Sequence, residues 1–87
     1  MAGYSVLVKP SAAKELAAIE PKRMRQRLVL RIGSLAAEPR PPGCEPLAGG
    51  PGRYRIRQGA YRVVYAIDDE AKTVVVVKIG HRREVYR

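Results

Sequence analysis

Three β-branched runs separated by turn-sized gaps constrain this chain more than any other feature. YRIR at 54–57 alternates strictly, AYRVVYAI at 60–67 is rich in β-branched and aromatic residues, and TVVVVKI at 73–79 is almost wholly β-branched. These are the residue types that fit a pleated, half-buried surface. Gln58-Gly59 and Asp68-Asp69-Glu70-Ala71 leave room only for tight connections, so the three runs are predicted to pair as an antiparallel meander. Such a sheet has one apolar face, and something has to cover it.

The residues upstream supply the cover. YSVLV at 4–8 reads as a further strand that joins the same sheet. Ser11 is the expected N-cap of a first helix, with Glu15 in the turn that follows. Ala13, Leu16, Ala17 and Ile19 form one apolar stripe. Pro21 is expected at the first position of a second helix, where its missing N–H is harmless. That helix carries Met24, Leu28, Ile32 and Leu35 on one face and Lys22, Arg23, Arg25, Gln26 and Arg27 mostly on the other. Residues 38–53 hold five prolines and four glycines, which excludes a helix or a central strand. A loop this long in a small domain signals function or disorder, and Leu47 is its one large apolar residue, the expected pin to the core. The fold class is therefore α+β, in the order β-α-α-β-β-β. It is an antiparallel twisted sheet with a helical hairpin packed on one face. At 87 residues, 1–87 make a single domain.

Charge narrows the partners. Of 17 Lys and Arg against 8 Asp and Glu, five are lysine and twelve arginine, for a net +9. A basic, arginine-biased surface attracts polyanions, and guanidinium forks suit phosphate. Nucleic acid is the first expectation, with an acidic protein face left open. The single cysteine, Cys44, excludes an internal disulfide and fits a reducing cytoplasm. MAGYSVLVKP lacks the long apolar core of a secretory leader, and no run is long enough to span a membrane. One histidine and scattered carboxylates offer no metal cluster, and no phosphate-loop motif occurs, so no metal or cofactor is expected.

Strand alternation places the charges. Tyr54 and Ile56 should face the helices, and Arg55 and Arg57 the other side, with Arg62 able to share that open face. Guanidinium groups crowded on one sheet face cost energy unless an anion arrives. The competing reading is the ordinary wet face of an antiparallel sheet. The end of the chain, GHRREVYR at 80–87, adds the only histidine, three arginines and a tyrosine.

Taken in order, KPSAAKEL, SLAAEPRPPG, PLAGGPGRY, YRIRQGAYRVVYAI and VVVVKIGHRREVYR resemble the RelE branch of the RelE/ParE toxin family over nearly the whole chain. The resemblance implies a metal-independent endoribonuclease that cuts messenger RNA, characteristically in the ribosomal A site, and that a cognate antitoxin neutralises in the bacterial cytoplasm. It implies catalytic roles for Arg55, Arg57, Arg62, Arg82 and Tyr86. Familiar members carry lysine where this chain has Arg55 and Arg57, the Gln58-Gly59 turn is shorter here, and no final helix follows Tyr86.

RNA cleavage without a metal needs a base for the 2′-hydroxyl, a cation for the charge growing on phosphorus, and an acid for the departing 5′-oxygen. Arginine suits the second role, Arg62 with Arg82 or Arg57 first among the candidates. With a pKa above about 12 it is a poor proton carrier. That leaves Tyr86, if the cations lower a phenol from about 10, and His81, since imidazole titrates near about 6.5. Each has a plain alternative: a tyrosine closing the core edge, a solvated histidine. Arg53, Arg83, Arg23 and Arg27 are candidates for gripping RNA along its backbone, the last two also readable as part of a solvated helix face with Arg25 and Arg31. Tyr61, Tyr65 and Tyr86 are the aromatics available for base stacking. Two other functions stay open: a ParE-like inhibitor of DNA gyrase and a non-catalytic RNA-binding module.

Overall fold

A computed structural model of the chain describes residues 3–48 and 52–81. Its order is β1 (Ser5–Val8), α1 (Pro10–Ala17), α2 (Lys22–Ser34), β2 (Glu45–Pro46), β3 (Arg53–Gln58), β4 (Tyr61–Asp68) and β5 (Thr73–His81). The strands form one sheet in the order β1-β5-β4-β3-β2. The meander β3-β4-β5 is antiparallel, as its turn lengths require. The sheet is nevertheless mixed, because β1 runs parallel to β5, Ser5 opposite Thr73 through Val8 opposite Val76. The helical hairpin lies between β1 and the rest of the sheet in sequence and returns the chain for this parallel pairing.

One apolar face of the sheet is buried under the helices. Leu28 and Ile32, one turn apart on α2, and Leu35 beyond it pack in one cluster with Ala12, Ile19, Ile56, Val63, Tyr65, Val74, Val76 and Ile79. Leu28, Leu35, Ile56, Val63, Val74 and Val76 are wholly buried, and each such aliphatic side chain is worth roughly 1.5–3 kcal/mol against exposure. Beyond the end of β1, the edge of β5 is closed by Glu15 of α1. Its Oε1 accepts from the Ile79 N–H at 3.0 Å and its Oε2 from Lys78 Nζ at 2.6 Å. Burial raises the Glu15 pKa, but these two donors outweigh it and leave the carboxyl below its usual value.

Local details depart from the sequence expectations. α1 starts at Pro10, with Lys9 at the cap position and no side-chain cap, so Ser11 is inside the helix and Glu15 beyond its first turn. Proline's fixed φ begins the helix one residue earlier than the serine signal implies. Pro21 caps α2 rather than opening it. The 38–53 segment is not wholly irregular, because Glu45 and Pro46 pair with Arg55 and Tyr54 as a two-residue edge strand. An edge tolerates proline. Leu47 stays half-exposed, while Pro41 is buried and Cys44 packs on the core instead. The β3-β4 hairpin closes through Gly59-Ala60, with Gly59 at φ +61° as a two-residue loop requires at its first position. A Cβ there would also meet Met24 Cε at 3.1 Å.

Candidate functional site

The register of β3 and β4 decides which arginines meet. Arg53, Arg55 and Arg57 alternate with Tyr54 and Ile56, so they share the face turned away from the helices. Arg57 stands directly opposite Arg62, and Arg55 opposite Val64. Residues directly opposed have Cβ atoms about 4.5–5.5 Å apart, and like charges there are destabilising. On the other side Arg62 faces Gly80 of β5, which puts no side chain beside it. Two of these positions depart from the freely solvated face that alternation alone allows. Arg62 is only 8% exposed and the Arg55 side chain 13%, whereas Arg53 and Arg57 are open. Arginine is rarely buried without a specific use for its charge.

Sequence reasoning missed Glu45. On β2 it lies opposite Arg55, and Arg55 Nη2 donates to its Oε1 at 2.8 Å. The face is therefore not purely cationic. The Arg55 hydrogen bond, then its charge, with Arg62 and Arg57 adding to the field, holds the Glu45 carboxyl below the ordinary carboxylate range. Three guanidinium groups thus act on one anion. A sequence signal existed: Glu45 is the only acidic residue between Glu38 and Asp68.

The loop that delivers Glu45 is tied down at its start. Arg40 grips Asp69 with two forks, Nη1 to Oδ1 at 3.2 Å and Nη2 to Oδ2 at 2.9 Å, and its Nε donates to the Tyr54 hydroxyl at 3.0 Å. Tyr4 donates to the same Asp69 Oδ1 at 2.6 Å. The Arg40 and Tyr4 bonds pull the Asp69 pKa down to about 2. The buried Tyr65 hydroxyl donates to the Pro39 carbonyl at 2.7 Å, and its ring stacks on Tyr54 at 6.1 Å. Burial, first of several causes, raises the Tyr65 phenol well above its usual range. Tyr65 is thus a core residue, removed from the stacking candidates.

The structure does not bring every candidate together. His81 ends β5 opposite Tyr61, their rings 5.9 Å apart edge to face. Both line a hollow with Glu15, Ala18, Ile19 and Ile79 on the helix side, the face opposite Arg62. Arg23 and Arg27 are exposed on α2, which packs on the apolar face, so the sheet separates them from Arg55, Arg57 and Arg62. Arg25 is committed to the Ile19 carbonyl at 3.1 Å. Arg82, Arg83 and Tyr86 lie outside the described residues. A larger, apolar groove of 890 Å³ runs between α1 and α2, lined by Val8, Leu16, Val29 and Leu30 among others. Leu30 is 75% and Val29 51% exposed there. Among the described residues no three His, Cys, Asp or Glu side chains gather as metal ligands, and no helix is long and apolar enough to cross a membrane.

Comparison with known proteins gives consistent matches. The family model of the ParE toxin of type II toxin–antitoxin systems matches residues 6–86. Toxin RelG of Mycobacterium tuberculosis is 32% identical over 84 residues, spanning 97% of each chain. Toxin RelE of the same organism is 34% identical over 85 residues, spanning 97% of this chain and 87% of that one. Among solved structures, the RelBE2 toxin–antitoxin complex of M. tuberculosis matches at a TM-score of 0.78 with 34% identity, covering 94% of each chain. The RelE–RelB complex of Pyrococcus horikoshii matches at 0.81 with 29% identity, covering 94% of this chain and 97% of that one.

Proposed function

This chain belongs to the RelE/ParE family of toxins from type II toxin–antitoxin systems, and on that premise we propose that it is a metal-independent endoribonuclease cutting messenger RNA on the ribosome. The observation that carries the reading is the opposition of Arg57 and Arg62, with Arg55 on the same face. An arrangement that is unfavourable alone becomes favourable around a phosphodiester, and more so as negative charge grows on phosphorus. Arg62 and Arg57 hold the two non-bridging oxygens, and Arg62, being the more buried, is the stronger contact because the local dielectric is lower. Arg55, Arg53 and the 82–83 pair extend the grip along the strand of RNA.

None of these arginines moves a proton. The 2′-hydroxyl loses one as its oxygen attacks phosphorus, and the 5′-oxygen gains one as it leaves. Tyr86 is the candidate for this transfer. His81 is disfavoured, since its ring meets Tyr61 on the helix side of the sheet.

The partner is a cognate antitoxin, as in the RelE–RelB complexes of M. tuberculosis and P. horikoshii. The apolar groove with its exposed Leu30 and Val29 is the kind of patch that a partner chain covers. A cytoplasmic location follows from a ribosomal substrate.

The test is to map new 5′ ends on messenger RNA in a purified translation system with and without the protein. Cuts within codons on translated but not untranslated messenger support the reading. Intact messenger together with stalled gyrase–DNA complexes replaces it with gyrase inhibition. RNA binding with neither outcome reduces the protein to a binding module.

A further inference from the structure

The cationic face carries its own anion. β2 is two residues long, and its register sets Glu45 opposite Arg55, one diagonal step from the Arg57–Arg62 pair. The segment before it is fastened by the Arg40–Asp69 forks and by Tyr65 on Pro39. The residue after Pro46 is fastened too, the Leu47 N–H donating to the Arg53 carbonyl at 2.9 Å. The backbone therefore presents the carboxylate at a fixed place. The side chain itself is 65% exposed, so it can turn into water with no change in the strand. A fixed root and a free head are what a displaceable counter-charge needs.

We propose that Glu45 is a built-in counter-anion of the Arg55–Arg57–Arg62 face, and that RNA binds by exchanging one of its phosphates for the Glu45 carboxylate. The inference rests on the RNA-binding reading above and adds to it a residue that sets the affinity of the site. In the free protein the carboxylate relieves the repulsion between opposed guanidinium groups and keeps Arg55 extended across the face. On binding, a phosphate takes over the Arg55 fork, and Glu45 swings outward. The carboxylate competes poorly with a polyanion, which gains from counterion release along its whole contact. It competes well with a small monovalent anion, so the face discriminates against those. The same arginine field that holds Glu45 ionised makes it a weak base, which suits a place-holder better than a proton acceptor.

The experiment compares binding of a 2′-O-methyl RNA oligonucleotide, which cannot be cut, to the wild type, Glu45→Gln, Arg55→Gln and the double variant. Glu70→Gln, in the β4-β5 turn, serves as a control of equal net charge. Glu45→Gln is expected to bind about two- to fivefold more tightly, the size an exposed ion pair supports. The salt slope stays unchanged, because the same phosphates are contacted in both complexes. The gain disappears in the Arg55→Gln background, and Glu70→Gln shows no comparable gain. Weaker or unchanged binding by Glu45→Gln, or a gain that persists without Arg55, overturns the exchange while leaving the RNA site intact. Absence of salt-dependent binding by the wild type overturns the RNA site and the exchange together.

Discussion

On the proposed reading, the salt dependence of RNA binding follows from counting the phosphates held on one face. Arg57 and Arg62 would share one phosphate and Arg55 would take a second, and each phosphate neutralised on a single strand contributes about −0.7 to the slope of log affinity against log salt. Two give a slope of about −1.4. Raising salt fourfold, from about 50 to about 200 mM, then weakens binding roughly sevenfold. Further phosphates gripped by Arg53, Arg82 and Arg83 would steepen the wild-type slope, so the sharper quantity is a difference. Arg55 stands outside the apolar cluster, so its loss leaves the core untouched. Arg55→Ala should flatten the slope by about 0.7. Fluorescence anisotropy with a labelled 2′-O-methyl oligonucleotide across that salt range measures both. A flat wild-type response, or a slope that Arg55→Ala leaves unchanged, refutes the reasoning.

Other outcomes are equally specific. Tyr65→Phe removes the donor to the Pro39 carbonyl and should cost about 1–1.5 kcal/mol. In thermal unfolding that is a fall of about 4–8 °C per kcal/mol. Asp69, held near about 2, contributes stability that is complete above the unfolded carboxylate pKa of about 4 and is lost as pH falls toward about 2. The difference in melting temperature between wild type and Asp69→Asn should therefore shrink across that window and stay constant at neutral pH. Tyr86→Phe should slow cleavage by roughly 10²–10⁴ if it moves a proton, while His81→Gln should leave the rate nearly unchanged; the reverse order would reassign the proton carrier.

Much of the architecture is legible because period-2 patterning and turn length act locally. The meander and the side of the sheet on which Arg55 and Arg57 stand follow from alternation and turn length, and the helical hairpin from apolar stripes at helical spacing. The direction of β1 does not, since a four-residue strand pairs either way and only the return path through the hairpin decides it. Ser11 misleads because Pro10 already fixes a helical φ one residue earlier. Glu45 is hidden by its neighbourhood: proline on its C-terminal side and glycine close by argue for loop, and its partner Arg55 is ten residues away in sequence. His81 is placed by a register that no local signal records. The bulge between Val64 and Tyr65 shifts the β4-β5 pairing, and Tyr61 then falls opposite His81.

Side-chain NMR of the arginine Nε–H groups tests the shared face most directly. On titration with non-cleavable RNA, the resonances of Arg55, Arg57 and Arg62 should move together at one RNA concentration, with Arg23 and Arg27 behind the sheet lagging or silent. Shifts confined to the helix arginines, or scattered over the surface with Arg57 and Arg62 unmoved, would contradict a phosphodiester held between the opposed strands.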